Sequence, residues 1–220
     1  IGENIRNRDF SLNTLGKKIK EHWNVQLYGT YASTEMQTAF TECSYGRGGH
    51  HHPELIITEV LDKNNNPVTT GEEGELTITH IGVEGMPLVR YKTGDIVQMH
   101  EEVCACGRST ARVSPVIGRM QNMIKLKGTT LYPPGIFEIL HEAGISDYVV
   151  EVSSDALGTD ALKLMIAGSE DSSARVQSIF QSRFRILPEI ILSSPPEIEQ
   201  LQLKDGVRKP AKFIDRRKTG

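Results

Sequence analysis

The sequence predicts an α+β protein in two parts, a β-rich stretch over residues 1–120 and a smaller α+β segment over 121–220. Three observations carry this. Between residues 55 and 99, short apolar runs with strand-like alternation are separated by turn signals such as Asp62-Lys63-Asn64-Asn65-Asn66-Pro67. After Gly118 the composition shifts, and strand-like runs are interleaved with two helix-period stripes. No apolar run approaches the ~18 residues a membrane helix needs.

The first element is a helix over 11–23, where Leu12, Leu15, Ile19 and Trp23 recur at spacings of 3, 4 and 4 and Ser11 can cap the start. Val25-Gln26-Leu27-Tyr28 then reads as a buried strand, and Gly29 to Glu35 as the loop leaving it. Leu55 to Leu61 is a strand. Glu75 to Ile81 is another, with Leu76, Ile78 and His80 on one face. Leu88 to Tyr91 and Ile96 to Met99 read as two strands around a Thr93-Gly94-Asp95 turn, which completes a small antiparallel subdomain or barrel.

The second part opens with a hairpin, Met123 to Leu126 and Thr129 to Tyr132 around Lys127-Gly128. Pro133-Pro134 ends it and introduces a helix over Ile136 to Glu142. Strands follow at Tyr148 to Val152 and Leu162 to Ile166. A helix over Ser172 to Phe184 carries Val176, Ile179, Phe180 and Phe184 on one face, and Glu189 to Leu192 is the last strand. This order suits a small α+β domain.

Composition bounds the function. A chain of 220 residues suits one large or two small domains. Its net charge of −3 gives no electrostatic reason to expect nucleic acid or a membrane surface as partner. The chain begins with Ile1 and shows no charged-then-apolar leader, so a fragment of a longer protein is expected. Three cysteines, Cys43, Cys104 and Cys106, are too few and too unevenly spaced for a disulfide framework, which points to a reducing, cytoplasmic setting.

Four segments carry chemistry. Tyr31-Ala32-Ser33-Thr34-Glu35 puts an aromatic face, hydroxyls and a carboxylate on a strand-exit loop, where α/β sheets present ligand groups. By itself it also fits a polar surface loop. In Arg90-Tyr91-Lys92-Thr93-Gly94-Asp95, Gly94 permits a tight turn and Asp95 faces outward. That carboxylate can accept two hydrogen bonds from a ribose diol, or it can bond its own turn backbone. Arg119, after Gly118, offers a planar fork to phosphate or ribose oxygens, and Gly128 lets a thin ligand pass close to the backbone. The run Arg208-Lys209-Pro210-Ala211-Lys212, then Arg216-Arg217-Lys218, is a solvated tail or a polyanion contact.

Together and in this order, these segments resemble the core motifs of the adenylate-forming enzymes, the acyl-CoA synthetase superfamily, and within it the phenylacetate–CoA ligase family. Tyr31 to Glu35 is similar to the Tyr-Gly-x-Thr-Glu motif, with Ala32 where Gly is usual. Gly74-Glu75-Leu76 and Pro87-Leu88-Val89-Arg90-Tyr91-Lys92-Thr93-Gly94-Asp95 resemble the Gly-Glu-Leu and Pro-Leu-Ile-Arg-Tyr-x-Thr-Gly-Asp pair. Gly118-Arg119 through Pro133 is similar to the hinge and the start of a mobile C-terminal domain, with Gln121 and Asn122 where the hinge usually has Asp or Lys.

The resemblance implies an ATP-dependent reaction in two steps, on a small aromatic carboxylic acid such as an aryl acetate. The carboxylate attacks the α-phosphate to give acyl-AMP and pyrophosphate, and the coenzyme A thiol then displaces AMP. It further implies that Tyr31 lies against adenine, Thr34 bonds the α-phosphate, Glu35 helps to bind Mg²⁺, Asp95 holds the ribose, Arg119 supports ribose or phosphate and Gly128 flanks the pantetheine channel. Lys209 is implied as the adenylation lysine, with Lys212 the alternative, because Arg208 stands where Gly is usual. No Gly/Ser/Thr-rich phosphate loop precedes Tyr31, so the chain is expected to be a C-terminal portion, inactive alone. Relatives that adenylate without making acyl-CoA are the nearest alternative, and a zinc-stabilised binding module is a further one. Oligomerisation is left open.

Cys43, the run Gly48-Gly49-His50-His51-His52, and Cys104-Ala105-Cys106-Gly107-Arg108 can together complete a tetrahedral Cys₃His site. Phenylacetate–CoA ligase relatives carry a similar arrangement. The resemblance therefore implies structural Zn²⁺ on Cys43, His51, Cys104 and Cys106, with His50 the next choice.

Overall fold

The computed structural model describes residues 4–126, 128–154, 159–203 and 210–217. It is an α+β structure dominated by sheet, in two compact units, Ile1–Gln121 and Asn122–Gly220.

In the first unit a helix, α1 (Thr14–Trp23), precedes eight strands: β1 (Thr30–Tyr31), β2 (Phe40–Glu42), β3 (Gly49–His50), β4 (Ile56–Leu61), β5 (Glu73–His80), β6 (Tyr91–His100), β7 (Arg112–Val113) and β8 (Gly118–Arg119). They form one sheet in the order β1-β2-β3-β7-β6-β5-β4, with β8 paired to β6, and every pair is antiparallel. One core lies against it, built from Met36, Phe40, Ile56, Val60, Leu76, Ile78, Val97 and Val113.

Four expectations change here. The cap of α1 is Asn13, whose side chain accepts from Gly16 N–H, because the helix starts at Thr14, three residues beyond Ser11. The α1 stripe is only partly buried, and Trp23 is 69% exposed. Val25–Tyr28 forms no strand, with Val25 and Tyr28 exposed. An extended run becomes a strand only where a neighbour offers backbone partners, and the first such contact comes at Gly29, whose carbonyl accepts from Glu42 N–H. Finally, Tyr91 to His100 is a single strand. Lys92 stands opposite Thr77 and Ile96 opposite Glu75, so Thr93, Gly94 and Asp95 together face Leu76 as a bulge. Gly94 takes the positive φ of +77° there. Strand β5 is buried on both faces, since Glu75 and Thr77 are buried as well as Leu76 and Ile78.

In the second unit β9 (Ile124–Leu126) and β10 (Thr129–Leu131) form the expected hairpin, with Gly128 at φ +80°. Helix α2 (Pro133–Glu142) follows, then β11 (Tyr148–Ser154), β12 (Asp160–Ile166), α3 (Glu170–Phe184), β13 (Glu189–Leu192), α4 (Pro195–Gln202) and β14 (Phe213–Asp215). The sheet order is β13-β12-β11-β14, with β11/β12 antiparallel and both edge pairs parallel. Ile136, Ile139 and Leu140 of α2 and Val176 and Phe180 of α3 pack on Tyr148, Val150, Leu162 and Leu164. Burying each such side chain contributes about 1.5–3 kcal/mol.

The helix α4 and the strand β14 are additions to the expected order. Ser194 N–H donates to Glu197 Oε2 at 2.7 Å, a cap that the Ser194-Pro195-Pro196-Glu197 sequence encodes. The described part of the basic tail is not a free solvated run. Arg217 bonds both Asp215 oxygens, Asp160 Oδ2 at 2.8 Å and the Met123 carbonyl at 2.7 Å, and Arg216 pairs with Glu151.

Candidate functional site

Two constellations form within the first unit. The first follows from the β6 bulge. By placing three residues opposite one, the bulge turns the Asp95 carboxylate inward. Asp95 is 6% exposed, which overturns the outward-facing turn expected from the sequence. The Thr93 hydroxyl donates to the Leu76 carbonyl at 2.9 Å and accepts from Asp95 N–H, so it locks the bulge. Asp95 Oδ2 accepts from the Tyr31 hydroxyl at 2.7 Å, across 64 residues of sequence. Asp95 Oδ1 pairs with Arg119 Nε at 3.0 Å, because β8 lies antiparallel beside β6 with Arg119 opposite Asp95.

Tyr31 is held from below by Phe40, stacked at 5.9 Å between ring centroids, because β1 and β2 place them directly opposite. Burial, and then the Asp95 charge, push the Tyr31 phenol far above its ordinary value of 10.0, so it stays a neutral donor. Beside it opens a cavity of about 300 Å³ lined by Tyr31, Ala32, Phe40, Gly49, Ser114 and Val116 among others.

Thr34 and Glu35 are exposed at the end of the same loop. The Glu35 carboxyl is held below the usual carboxylate range, first by its own backbone N–H, with Arg119 adding to the effect. The loop is pinned by two residues that sequence reading passed over. His80 Nε2 bonds the Glu35 carbonyl at 2.7 Å, and the Gln37 amide donates to the Leu55 and Ile81 carbonyls. Of the other candidates, Gly128 sits at the β9–β10 turn in the second unit. Lys209 lies outside the described residues. Lys212 has its Nζ 4.8 Å from the Tyr148 ring centroid.

The second constellation is Cys43, His50, Cys104 and Cys106, whose ligand atoms all lie within 4.8 Å of one another. Cys43 Sγ and Cys104 Sγ are 3.6 Å apart, and Cys106 Sγ lies 3.4 Å from His50 Nε2. The histidine is His50, where the sequence reading favoured His51. His51 lies just past the end of β3, where its N–H still donates to the Ala111 carbonyl, and successive side chains of such an extended run point to opposite faces. His51 therefore turns away, bonding the Ile56 carbonyl through Nε2 and stacking on Phe40. His50 Nδ1 is held by the Thr110 hydroxyl at 3.1 Å, which aims Nε2 at the thiols. Burial holds the His50 imidazole below 6.5, with Arg108 and Arg112 reinforcing it. The Cys106 thiol is brought down to about 7, first by a backbone N–H of Arg108. The Cys104 thiol receives a backbone N–H from Cys106, but burial and the neighbouring thiols push it up.

No protein-family model matches the chain. Against curated proteins, it is 32% identical over 128 residues to phenylacetate-coenzyme A ligase of Thermus thermophilus, a match spanning 56% of this chain and 29% of that protein. It is 26% identical over 152 residues to the Escherichia coli enzyme of the same name, spanning 66% of this chain and 33% of that one. The chain is related to the phenylacetate–CoA ligases. It spans about a third or less of the length of these ligase relatives. Among solved structures, a 2-hydroxyisobutyryl-CoA ligase in complex with an acyl-AMP matches 90% of this chain and 44% of its own, with a TM-score of 0.70 at 22% identity. The anthranilate CoA ligase AuaEII, in complex with anthranoyl-AMP, gives 0.59 at 18% identity, over 83% of this chain and 39% of its own. The fold is therefore that of the C-terminal region of acyl-CoA ligases. Among the described residues, no helix is long and apolar enough to cross a membrane.

Proposed function

We propose that this chain supplies the nucleoside-binding wall, and a following mobile domain, to an AMP-forming ligase that activates an aryl-acetate-type carboxylic acid and passes it to coenzyme A. The observation that carries this reading is the Tyr31–Asp95–Arg119 constellation, in which a buried carboxylate collects a phenol and a guanidinium from distant segments. A ribose diol offers two donors to that carboxylate. Replacing the Arg119 and Tyr31 contacts with ribose hydroxyls keeps Asp95 satisfied and frees the phenol ring to lie against adenine.

In this reading the acid's carboxylate oxygen attacks the α-phosphorus, the bond to the bridging oxygen breaks and pyrophosphate leaves. The coenzyme A sulfur then attacks the acyl carbon and AMP leaves with the bonding pair. Thr34 bonds an α-phosphate oxygen. Lys209, outside the described residues, acts as the adenylation lysine, offsetting the negative charge that grows on the transferring phosphate. Gly128, with no described atom beyond its chain neighbours within 4 Å of where a Cβ would stand, leaves room for pantetheine. Glu35 is an exposed carboxylate. That suits Mg²⁺, which is commonly held by one carboxylate together with substrate phosphates and water; the ion would neutralise phosphate charge.

The Cys43–His50–Cys104–Cys106 group fits zinc. Tetrahedral geometry at Zn–S ≈ 2.3 Å and Zn–N ≈ 2.0–2.1 Å requires S···S of roughly 3.8 Å and S···N of roughly 3.5 Å. The separations of 3.6 and 3.4 Å need little adjustment. Four protein ligands close such a site, so its role is structural: it ties β2 and β3 to the segment between β6 and β7.

The test is acid-dependent ATP–pyrophosphate exchange, followed by acyl-CoA formation, in a polypeptide joining this chain to an upstream large-domain portion. Exchange is expected with an aryl acetate and is expected to be absent from the 220-residue chain alone. Failure of every aromatic carboxylic acid to support exchange would overturn the reading. The acceptor is tested separately, because the 190-residue match to the nonribosomal peptide synthetase NPS2 of Ceriporiopsis subvermispora, at 25% identity, favours adenylation without commitment to coenzyme A. Acyl-AMP accumulating when coenzyme A is present would support that second reading.

A further inference from the structure

Strand β1 is only two residues long, yet it carries the Tyr31 ring whose hydroxyl meets Asp95. Its entry is fixed by Glu42. The register Thr30–Thr41 and Tyr31–Phe40 puts Gly29 opposite Glu42. In a regular antiparallel ladder such a pair exchanges two backbone bonds. Here the Glu42 N–H donates to the Gly29 carbonyl at 2.9 Å, whereas the Gly29 N–H turns to the Glu42 side chain and donates to Oε2 at 2.7 Å. The other carboxylate oxygen, Oε1, pairs with Arg6 Nε at 2.6 Å. Arg6 is itself held, since Nη1 donates to the Phe10 carbonyl at 2.9 Å and Nη2 to the Leu27 carbonyl at 3.4 Å. A Cβ on Gly46 would collide with Nη2, so the guanidinium lies across the turn that Gly46 N–H closes onto the Cys43 carbonyl.

The Glu42 side chain is 4% exposed and that of Arg6 13%. Desolvation can outweigh the attraction within a buried ion pair, so such a pair is weak evidence of a stabilising role. Both residues line the cavity beside Tyr31, but both Glu42 oxygens are already engaged, one by backbone and one by Arg6. That leaves the carboxylate to hold the chain rather than a ligand. Gly29 suits the contact, because a Cβ there would stand 3.1 Å from Glu42 Cδ.

We propose that Glu42, braced by Arg6, is a positioning residue for nucleoside binding. Its carboxylate reaches the Gly29 N–H, seats the entry to β1 and so sets the Tyr31 phenol against Asp95. The nucleoside part rests on the ligase reading above; the placement of Tyr31 does not.

The test separates reach from charge. Glu42→Asp keeps a counter-charge for Arg6 but withdraws it from Gly29 by one methylene. Glu42→Gln keeps the reach and the acceptor but drops the charge. In the 220-residue chain each is read by thermal melting and by ¹³Cζ NMR of the six tyrosines, with Tyr31→Phe assigning the signal. Glu42→Asp should move the Tyr31 signal toward that of solvent-exposed phenols. Glu42→Gln should leave it in place while lowering the melting temperature more. The opposite order, or an unmoved Tyr31 signal in folded Glu42→Asp, would assign the pair to stability alone and overturn the proposal. The unsubstituted chain gives a reading that needs no variant to fold: its Gly29 amide should exchange about 100-fold more slowly than a free one, and free exchange there also overturns the proposal.

In the polypeptide joined to a large-domain portion, Glu42→Asp should raise the KM for ATP about tenfold with kcat held within about twofold. A fall in kcat at unchanged KM would contradict a role in nucleoside binding. A Tyr31 signal that moves as expected, in a protein giving no exchange with any acid, would keep the placement and refute the ligase reading. Acid-dependent exchange with an unmoved Tyr31 signal would do the reverse.

Discussion

The Tyr31 hydroxyl donates to Asp95 Oδ2 at 2.7 Å, and Asp95 lies on a three-residue bulge that only a glycine at φ +77° allows. Removing that carboxylate leaves a half-buried phenol without this acceptor and a guanidinium without this ion partner. Asp95→Ala is therefore expected to destabilise the first unit by about 1–3 kcal/mol, read by urea denaturation. In the ligase reading it also lowers adenylation at subsaturating ATP more than at saturation, since ribose contacts act in binding.

The zinc site proposed above gives a contrast between adjacent residues. His50→Gln should lose bound zinc, whereas His51→Gln should keep it, because His51 faces Phe40 and the Ile56 carbonyl. Zinc per chain by elemental analysis decides this. Equal loss in both variants would contradict the ligand set.

Chelation carries a related expectation. In the zinc reading the three thiols and the imidazole tie together segments 61 residues apart in sequence. Stripping the metal should lower the melting temperature of the first unit and speed proteolysis between residues 101 and 111, while the second unit melts unchanged. Calorimetry with and without chelator separates the two transitions.

Acid should weaken the first unit through His100. Its ring lies edge-on to Phe10, and its Nε2 is buried without a partner. Burial first, and Arg112 as well, hold its pKa below 6.5 against the opposing pull of Glu102. A folded-state pKa that is depressed means the unfolded chain binds the proton more readily. The stability from neutral His100 is present above pH 6.5 and is lost as pH falls below it through the folded-state value. His100→Gln should flatten the stability–pH curve in that window; an unchanged slope would reject the assignment.

In the second unit, Asp160 accepts from both Arg217 Nη1 and Lys125 N–H, at 2.8 and 2.7 Å. Arg217→Ala removes the Arg217 pairing from Asp160, whose side chain is largely buried, and the two Arg217 contacts of Asp215. A loss of about 2–3 kcal/mol is expected, with β14 fraying first in hydrogen exchange.

Much of this was legible in the sequence where local and tertiary preferences agree. The hairpin at Gly128, helix α2 after its proline pair and strand β13 lie close to their expected places, because turn residues and apolar period point the same way. The misses share another cause. Thr93-Gly94-Asp95 has the composition of a turn, and only pairing with β5 makes it a bulge. Val25–Tyr28 has the composition of a strand but no strand partner among the described residues. His50 and His51 differ only in strand parity, which is set by the Thr41–His50 register and not by residue type. The Ser194–Glu197 cap was visible in the sequence and marks α4.

The most direct measurement is a crystal structure of the complete ligase bearing this chain, bound to a non-hydrolysable acyl-adenosine sulfamate. The account predicts both ribose hydroxyls on the Asp95 carboxylate and the adenine against the Tyr31 ring. A nucleoside seated elsewhere, with the Tyr31–Asp95 hydrogen bond intact, would contradict it.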